Sequence, residues 1–401
     1  MLLFYLQNKK QIKEEIHLTF TDNAARLIEE GQEMKEERLF NPRQLTSARL
    51  ARGFTIKDLS EKAEVSRQAI SSYESGKASP KLETALKIAN VLDFPVNFLY
   101  DKSMILPEST TYFRKRSAAT NVARKMQEER LVYSVKVYEQ LTKYVNIPEV
   151  NLPELVNIDL SEITDDLIAE KAQELRKLWG VDNESPIENV IALAEVNGVV
   201  VVESNMANDN LDAVSRWYKT RPFIMLTDNR ESSVRRRFNV AHELGHIILH
   251  NAVENDEYDN KIIKKMENQA HLFASNFLMP NEAFMKSLLS TSLENYVNLK
   301  NYWKVSIQAM IFKTAYLELI NEDRKLYLNK QISFKKWRKK EPLDDILLVE
   351  KPTLNKKIFK MITENKVKEE QNLISEFNLP LDELSKIIGI DFQNEKKRSK
   401  K

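Results

Sequence analysis

Ala241-His242-Glu243-Leu244-Gly245-His246 is the stretch that decides how the second half of the chain is read. On an α-helix, residues four apart share one face, so imidazoles at 242 and 246 converge on a single point. Glu243 is offset just enough to reach a water held at that point rather than the point itself. In a chain with five histidines and 59 carboxylates, a His-acid-x-x-His spacing arises by chance only about 0.01 times. Phe238, Ala241, Gly245, Ile248 and Leu249 are apolar or small, so the helix is packed rather than solvated. An amphipathic helix with two surface histidines does not account for those flanks. The stretch is therefore read as a metal-binding helix with His242 and His246 as ligands and Glu243 as the proton carrier.

A catalytic metal site has a third protein ligand and an open position. His250 follows His242 by eight residues, which turns it about 80° off the ligand face of a continuous helix. Position 252, where a metzincin carries its third histidine, is Ala252. On the next helix, Glu267-Asn268-Gln269-Ala270-His271-Leu272-Phe273-Ala274 sets Glu267, Ala270 and Ala274 along one stripe. A carboxylate on an inward stripe is costly unless a cation meets it, and the alanines let the two helices approach closely. Glu267 is the expected third ligand, with Zn2+ as the ion. The alternative is an ion pair between Glu267 and the Arg235-Arg236-Arg237 run. His271 lies one position off the stripe and is read as a supporting or surface residue. In such a site Glu243 takes the proton of the attacking water and returns it to the leaving amine. The expected strand at 222–226 offers an edge to an extended substrate. Tyr218 and Arg221 are oxyanion candidates, with a packed Tyr and a surface Arg the favoured alternative, and Arg235–Arg237 are expected ahead of the metal helix, against the acidic 254–259 loop.

Working outward, a second pattern occupies residues 55–76. Thr55 can cap a first helix whose inward face carries Leu59 and the small Ala63, Val65 plugs a turn, and Ser66 caps a second helix. The second helix points Ile70 and Tyr73 inward and Arg67, Gln68, Ser71 and Ser72 outward, side chains suited to base edges and phosphates. Gly76 stops it. The alternative is a helical domain used for dimerisation or protein contact. The modest excess of basic residues around it favours DNA.

Composition bounds the rest. At 401 residues the chain exceeds one compact core and implies roughly two to four domains. There is no cysteine, which excludes disulfides, thiol nucleophiles, thiolate zinc sites and iron–sulfur clusters. The seven glycines include no pair spaced for a dinucleotide fingerprint or a phosphate loop. No apolar run approaches the ~18–20 residues of a membrane helix. The start, Met1 to Leu6, lacks a cleavage site, so the expectation is a cytoplasmic chain with no membrane partner. The net charge of +2 makes nucleic-acid binding a local matter. The organisation expected is an N-terminal extension at 1–36, a helix-turn-helix domain at 37–103, a helical linker at 104–160 with Arg114-Lys115-Arg116, a metal domain at 161–330, and a helical extension at 331–401 with a basic tail. The fold class is mainly α, an all-α N-terminal domain followed by an α+β domain with a small sheet.

Two resemblances sharpen these readings. Residues 55–76 and their flanks resemble the lambda-repressor/Cro-like (XRE) helix-turn-helix family. That resemblance puts Arg67, Gln68 and Ser72 at base-facing positions and implies operator DNA as a partner, with a homodimer among the implied assemblies. Glu64 replaces the family's usual turn glycine, at a cost of about 1 kcal/mol if its φ is positive, and Ile56 replaces a usual glutamine. The ordered set Trp179, Pro186-Ile187, Asp212-Ala213-Val214-Ser215, Arg221-Pro222, Arg237-Phe238, His242–His250, Glu267-x-x-Ala270-x-x-Phe273-Ala274 and Leu278-Met279-Pro280 resembles the ImmA/IrrE metallopeptidases. Many members carry two acids near the third-ligand position, where this chain has Gln269, and Asn239 stands where threonine is frequent. The resemblance implies a zincin-like domain, a zinc endopeptidase, and a repressor-type protein substrate whose cleavage releases phage, mobile-element or stress genes. Two rivals stand beside it: a regulator whose metal is structural or sensory, and a toxin–antitoxin or defence component.

Overall fold

Asn41 and Thr55 each open a helix by accepting a backbone N–H. Asn41 accepts from Arg43 and starts α1 (Pro42–Ala51), and Thr55 accepts from Asp58 and starts α2 (Ile56–Ala63). The Asp58 carboxylate accepts the Thr55 N–H in return, which completes a capping box. Glu64 ends α2 in the left-handed region at φ 54°, and Ser66 accepts the Ala69 N–H to begin α3 (Arg67–Glu74). α4 (Leu82–Leu92) and a 3-10 turn at Val96–Tyr100 close this bundle. The computed structural model describes residues 39–102, 111–112, 121–204, 213–227, 232–251 and 259–392. The extension at 1–36, Arg114-Lys115-Arg116, the acidic residues of 254–258 and the basic tail beyond 392 lie outside the described residues.

Next come β1 (Thr111–Tyr112), α5 (Asn121–Leu141), α6 (Asp165–Leu178) and α7 (Val190–Val196). Three strands follow, β2 (Val200–Ser204), β3 (Ala213–Tyr218) and β4 (Arg221–Thr227). Among the described residues the sheet order is β1-β3-β4-β2. β3 pairs antiparallel with both β4 and β1, and β2 pairs parallel with β4, Val200 opposite Phe223. Two long helices, α8 (Ser233–Leu249) and α9 (Asn260–Leu278), lead to α10 (Asn281–Ser287), α11 (Leu293–Trp303), α12 (Ile307–Tyr316) and α13 (Glu322–Phe334). α14 (Leu354–Glu364), α15 (Glu370–Phe377) and α16 (Leu381–Ile388) end the described chain.

The strands are apolar on both faces, and a sheet of that kind must be covered on both. Val199, Val201, Ala213, Ile224 and Leu226 join one core with α8 and α9. Val200, Val202, Val214, Phe223 and Met225 join a second core that also holds Leu45, Leu59 and Ile70, residues of α5, and Ile362, Leu384 and Ile388. Helices α1–α4 of 37–103, α5 of 104–160 and α14–α16 of 331–401, expected as separate units, thus share one core on the far face of the sheet, while Val156, Ile332 and Trp337 pack with the other core. Arg52 carries the join in charge: it donates to Asp382 at 2.7 Å, and Arg130 meets the buried Glu383 at 3.1 Å. The signal was present in the unbroken apolar runs Val199–Val202 and Pro222–Leu226, which leave no strand face for solvent.

The turn of α2 and α3 recurs. Lys304 is left-handed at φ 55°, Val305 follows, and Ser306 caps α12 by accepting the Ala309 N–H. Asn378, Leu379 and Pro380 repeat the course between α15 and α16. In α12, however, Ile307, Met310 and Ile311 are buried and Gln308 Nε2 lies 3.4 Å from Glu341. The same backbone turn there serves packing.

Candidate metal centre and nucleic-acid surface

His242 and His246 sit one turn apart on α8, buried, with their Nε2 atoms 3.0 Å apart. Glu267 comes across from α9: Oε2 is 3.6 Å from His242 Nε2 and Oε1 is 3.5 Å from His246 Nε2. These three residues each offer a ligand atom within 4.8 Å of the others and form a group able to hold a metal ion. Gly245 makes the approach feasible. A Cβ there would stand 3.2 Å from Ala270 Cα and 3.1 Å from Phe273 Cβ, so the two helices meet backbone to backbone.

Glu243 points to the sheet side of the same helix, 2% exposed, and accepts a 2.6 Å hydrogen bond from Ser215 Oγ on β3. Ser215 is also where β3 takes its outer partner, since Tyr112 pairs with Ser215 and Thr111 with Arg216. Ser215 was quoted within Asp212–Ser215 but given no role. Its alternation with Val214, which faces the other core, is the signal that could have found it.

His250 and Gln269 were also missed as site residues. His250 closes α8, fully buried, with Nδ1 2.9 Å from His246 Nδ1 and Nε2 3.1 Å from Gln269 Oε1. Burial is the main cause that pushes its pKa down to about 3, and the neighbouring His246 lowers it further. It lies off the point where His242, His246 and Glu267 meet, and its spacing of four from His246 was the available clue. His271 is half-buried, with its ring 4.5 Å from that of His242 and 5.7 Å from that of Phe238.

Several expectations are corrected. β4 lies between β3 and β2, so 222–226 has no open edge. Tyr218 and Arg221 do not reach the centre. Tyr218 is three positions from Ser215 on a strand with a period of two, so it faces the opposite side and donates to Glu139. Arg221 donates to the carbonyls of Pro148 at 2.8 Å and Gly198 at 2.7 Å. Arg235–Arg237 lie inside the first turns of α8, not ahead of it. Arg236 pairs with Glu203 and Arg237 with the buried Glu350, so these two are not the partners of Glu267.

On the N-terminal bundle, Arg67, Gln68 and Ser71 are exposed and Ser72 is half-buried, while Ile70 is fully buried. Arg67 Nη2 lies 3.3 Å from Glu61 Oε1, both side chains 59% exposed, so the pair is open to exchange for a phosphate or base.

With this geometry in place, comparison with known families is direct. Residues 194–314 match the family described as IrrE N-terminal-like domain, a Peptidase M78 family. Residues 45–99 match a helix-turn-helix family. No curated protein matches the chain. No helix among the described residues is long and apolar enough to cross a membrane.

Proposed function

Starting from a chain that joins an XRE-type helix-turn-helix to an IrrE-like peptidase domain, we propose a DNA-binding regulator that hydrolyses a peptide bond in a repressor-type protein. His242, His246 and Glu267 hold Zn2+ and Glu243 moves the proton. The arrangement of four side chains carries this reading. Zinc bonds of about 2.0–2.1 Å at the tetrahedral angle put ligand atoms about 3.3 Å apart. Separations of 3.0, 3.5 and 3.6 Å bracket that figure. The donor set, two imidazoles and one carboxylate, is a catalytic one with a position left over.

Zinc supplies Lewis-acid polarisation of the scissile carbonyl and lowers the pKa of the attacking water. The protein's own part is positional. Glu243, held by Ser215, is placed to accept a proton from the water and to deliver it to the leaving amine. Thr111–Tyr112 pair antiparallel with β3 at Arg216 and Ser215, and an extended substrate backbone that replaced them would run past Glu243 in the same register. A purely structural or sensory metal would leave the Glu243–Ser215 pair without a task.

The test uses the purified full-length chain. About one zinc per chain is expected, and Glu243→Gln should keep the metal and lose cleavage of the repressor-type substrate. Glu267→Gln should lower metal affinity at least tenfold. Elemental analysis that finds no transition metal after chelator-free purification overturns the reading.

A further inference from the structure

Gln269 stands on α9 two positions after Glu267, 6% exposed. One end of its amide lies 3.2 Å from the Ile163 carbonyl oxygen and 3.4 Å from that of Leu160. Carbonyl oxygens only accept, so that end is the NH2 and the other end, Oε1, can only accept. His250 Nε2 is 3.1 Å from that Oε1 and must therefore carry a hydrogen. Two N–H groups cannot face each other at 2.9 Å, so of His250 Nδ1 and His246 Nδ1 one carries a hydrogen and the other a lone pair. With the His250 hydrogen already placed at Nε2 by Gln269, the lone pair falls to His250 Nδ1 and the hydrogen to His246 Nδ1. With its proton on Nδ1, His246 turns a lone pair at Nε2 toward His242 Nε2 and Glu267.

We propose that Gln269 and His250 form a positioning relay. Anchored on the backbone of residues 160 and 163, it locks His246 in the Nδ1–H tautomer and so presents the Nε2 lone pair to a metal ion before the ion arrives. The relay rests on the reading of His242, His246 and Glu267 as a metal site. It also gives a task to the two features that the ligand pattern left over: a third histidine off the ligand face, and a buried amide two positions after Glu267. A glutamine suits the position because only an amide both accepts from His250 and donates to two carbonyls.

The decisive measurement is a long-range nitrogen–proton correlation spectrum of the histidine rings in the metal-free, full-length protein. His246 should show a protonated Nδ1 and an unprotonated Nε2, and His250 the reverse. Zinc affinity, measured by chelator competition, should fall about tenfold to a hundredfold in His250→Phe. His250→Asn, which keeps an accepting oxygen near the Nδ1 position, should recover most of that loss. A spectrum with the proton on His246 Nε2 overturns the relay, as does a His250→Phe protein that binds zinc as tightly as wild type. If the wild-type chain binds no zinc, the metal reading fails instead, and the ring-nitrogen spectrum still decides whether the relay exists. Should His250→Phe not fold, the wild-type spectrum alone decides.

Discussion

Ser215 Oγ donates a 2.6 Å hydrogen bond to Glu243 Oε2, which ties the third strand of the sheet to the one carboxylate in the helix motif that is not aimed at the metal point. Ser215→Ala removes a hydrogen bond to a charged group and should slow turnover by about tenfold or more. Metal content should stay at the wild-type level. Turnover rates and elemental analysis of the two proteins check both statements, and an unchanged rate would remove Ser215 from the site.

Gly245 sets the distance between α8 and α9, which carry the proposed ligands. In Gly245→Ala the new methyl meets Ala270 Cα at 3.2 Å and Phe273 at 3.1 Å, so α9 must shift by a few tenths of an ångström. The backbone of α9 carries Glu267, and the shift opens the ligand set. Zinc affinity should drop about tenfold, with a stability loss of about 1–3 kcal/mol from overpacking. Chelator competition and denaturant titration measure the two separately.

Lys313 is buried at 1% exposure and donates to Asn276 Oδ1 at 3.0 Å and Asn281 Oδ1 at 2.7 Å. Burial lowers its pKa from 10.5 to about 7. Between those two values the unfolded chain binds this proton and the folded chain does not, so stability should rise as pH is raised through the window. The slope contributed is up to about 1.4 kcal/mol per pH unit. Lys313→Met should flatten that part of the profile. Denaturation midpoints at pH 7, 8 and 9 for both proteins provide the check, and parallel profiles would refute it.

The exposed face of α3 gives the DNA prediction. Arg67→Ala or Gln68→Ala should weaken binding to promoter DNA from the protein's own locus by about 1–3 kcal/mol per lost base contact. Binding to unrelated duplex should change far less for Gln68→Ala, whose side chain carries no charge. Mobility-shift titrations at two salt concentrations distinguish base reading from phosphate attraction.

The two motifs were legible because each is local. Helical spacing alone aligns His242 with His246, and the Thr55, Glu64 and Ser66 positions follow from capping chemistry within one turn. Glu267 could be placed from its stripe of alanines. What escaped was set by tertiary pairing. The alternation along β3 turns Ser215 away from Val214, but it does not say which side chain its hydroxyl meets, and nothing near Gln269 says that Leu160 and Ile163 turn their carbonyls to it. Tyr218 and Arg221 had two readings, and the packing one holds for a related reason. Their chemistry suited an oxyanion, but the strand register turns Tyr218 to the far face and Arg221 to the carbonyls at 148 and 198.

β2 has a wider consequence. Val199 and Val201 belong to the core of the metal helices, while Val200 and Val202 belong to the core of the DNA-reading bundle. Four successive valines are thus a party wall, and neither room keeps its wall when the other collapses. Heating should give one cooperative transition in place of two. Any ligand that prefers the folded α8 face adds RT ln(1 + [L]/Kd) to the stability of the whole, about 2.7 kcal/mol at a hundredfold excess over Kd. A fluorescent probe on α3, more than a hundred residues away in sequence, would then report the occupancy of His242 and His246 as a higher melting temperature.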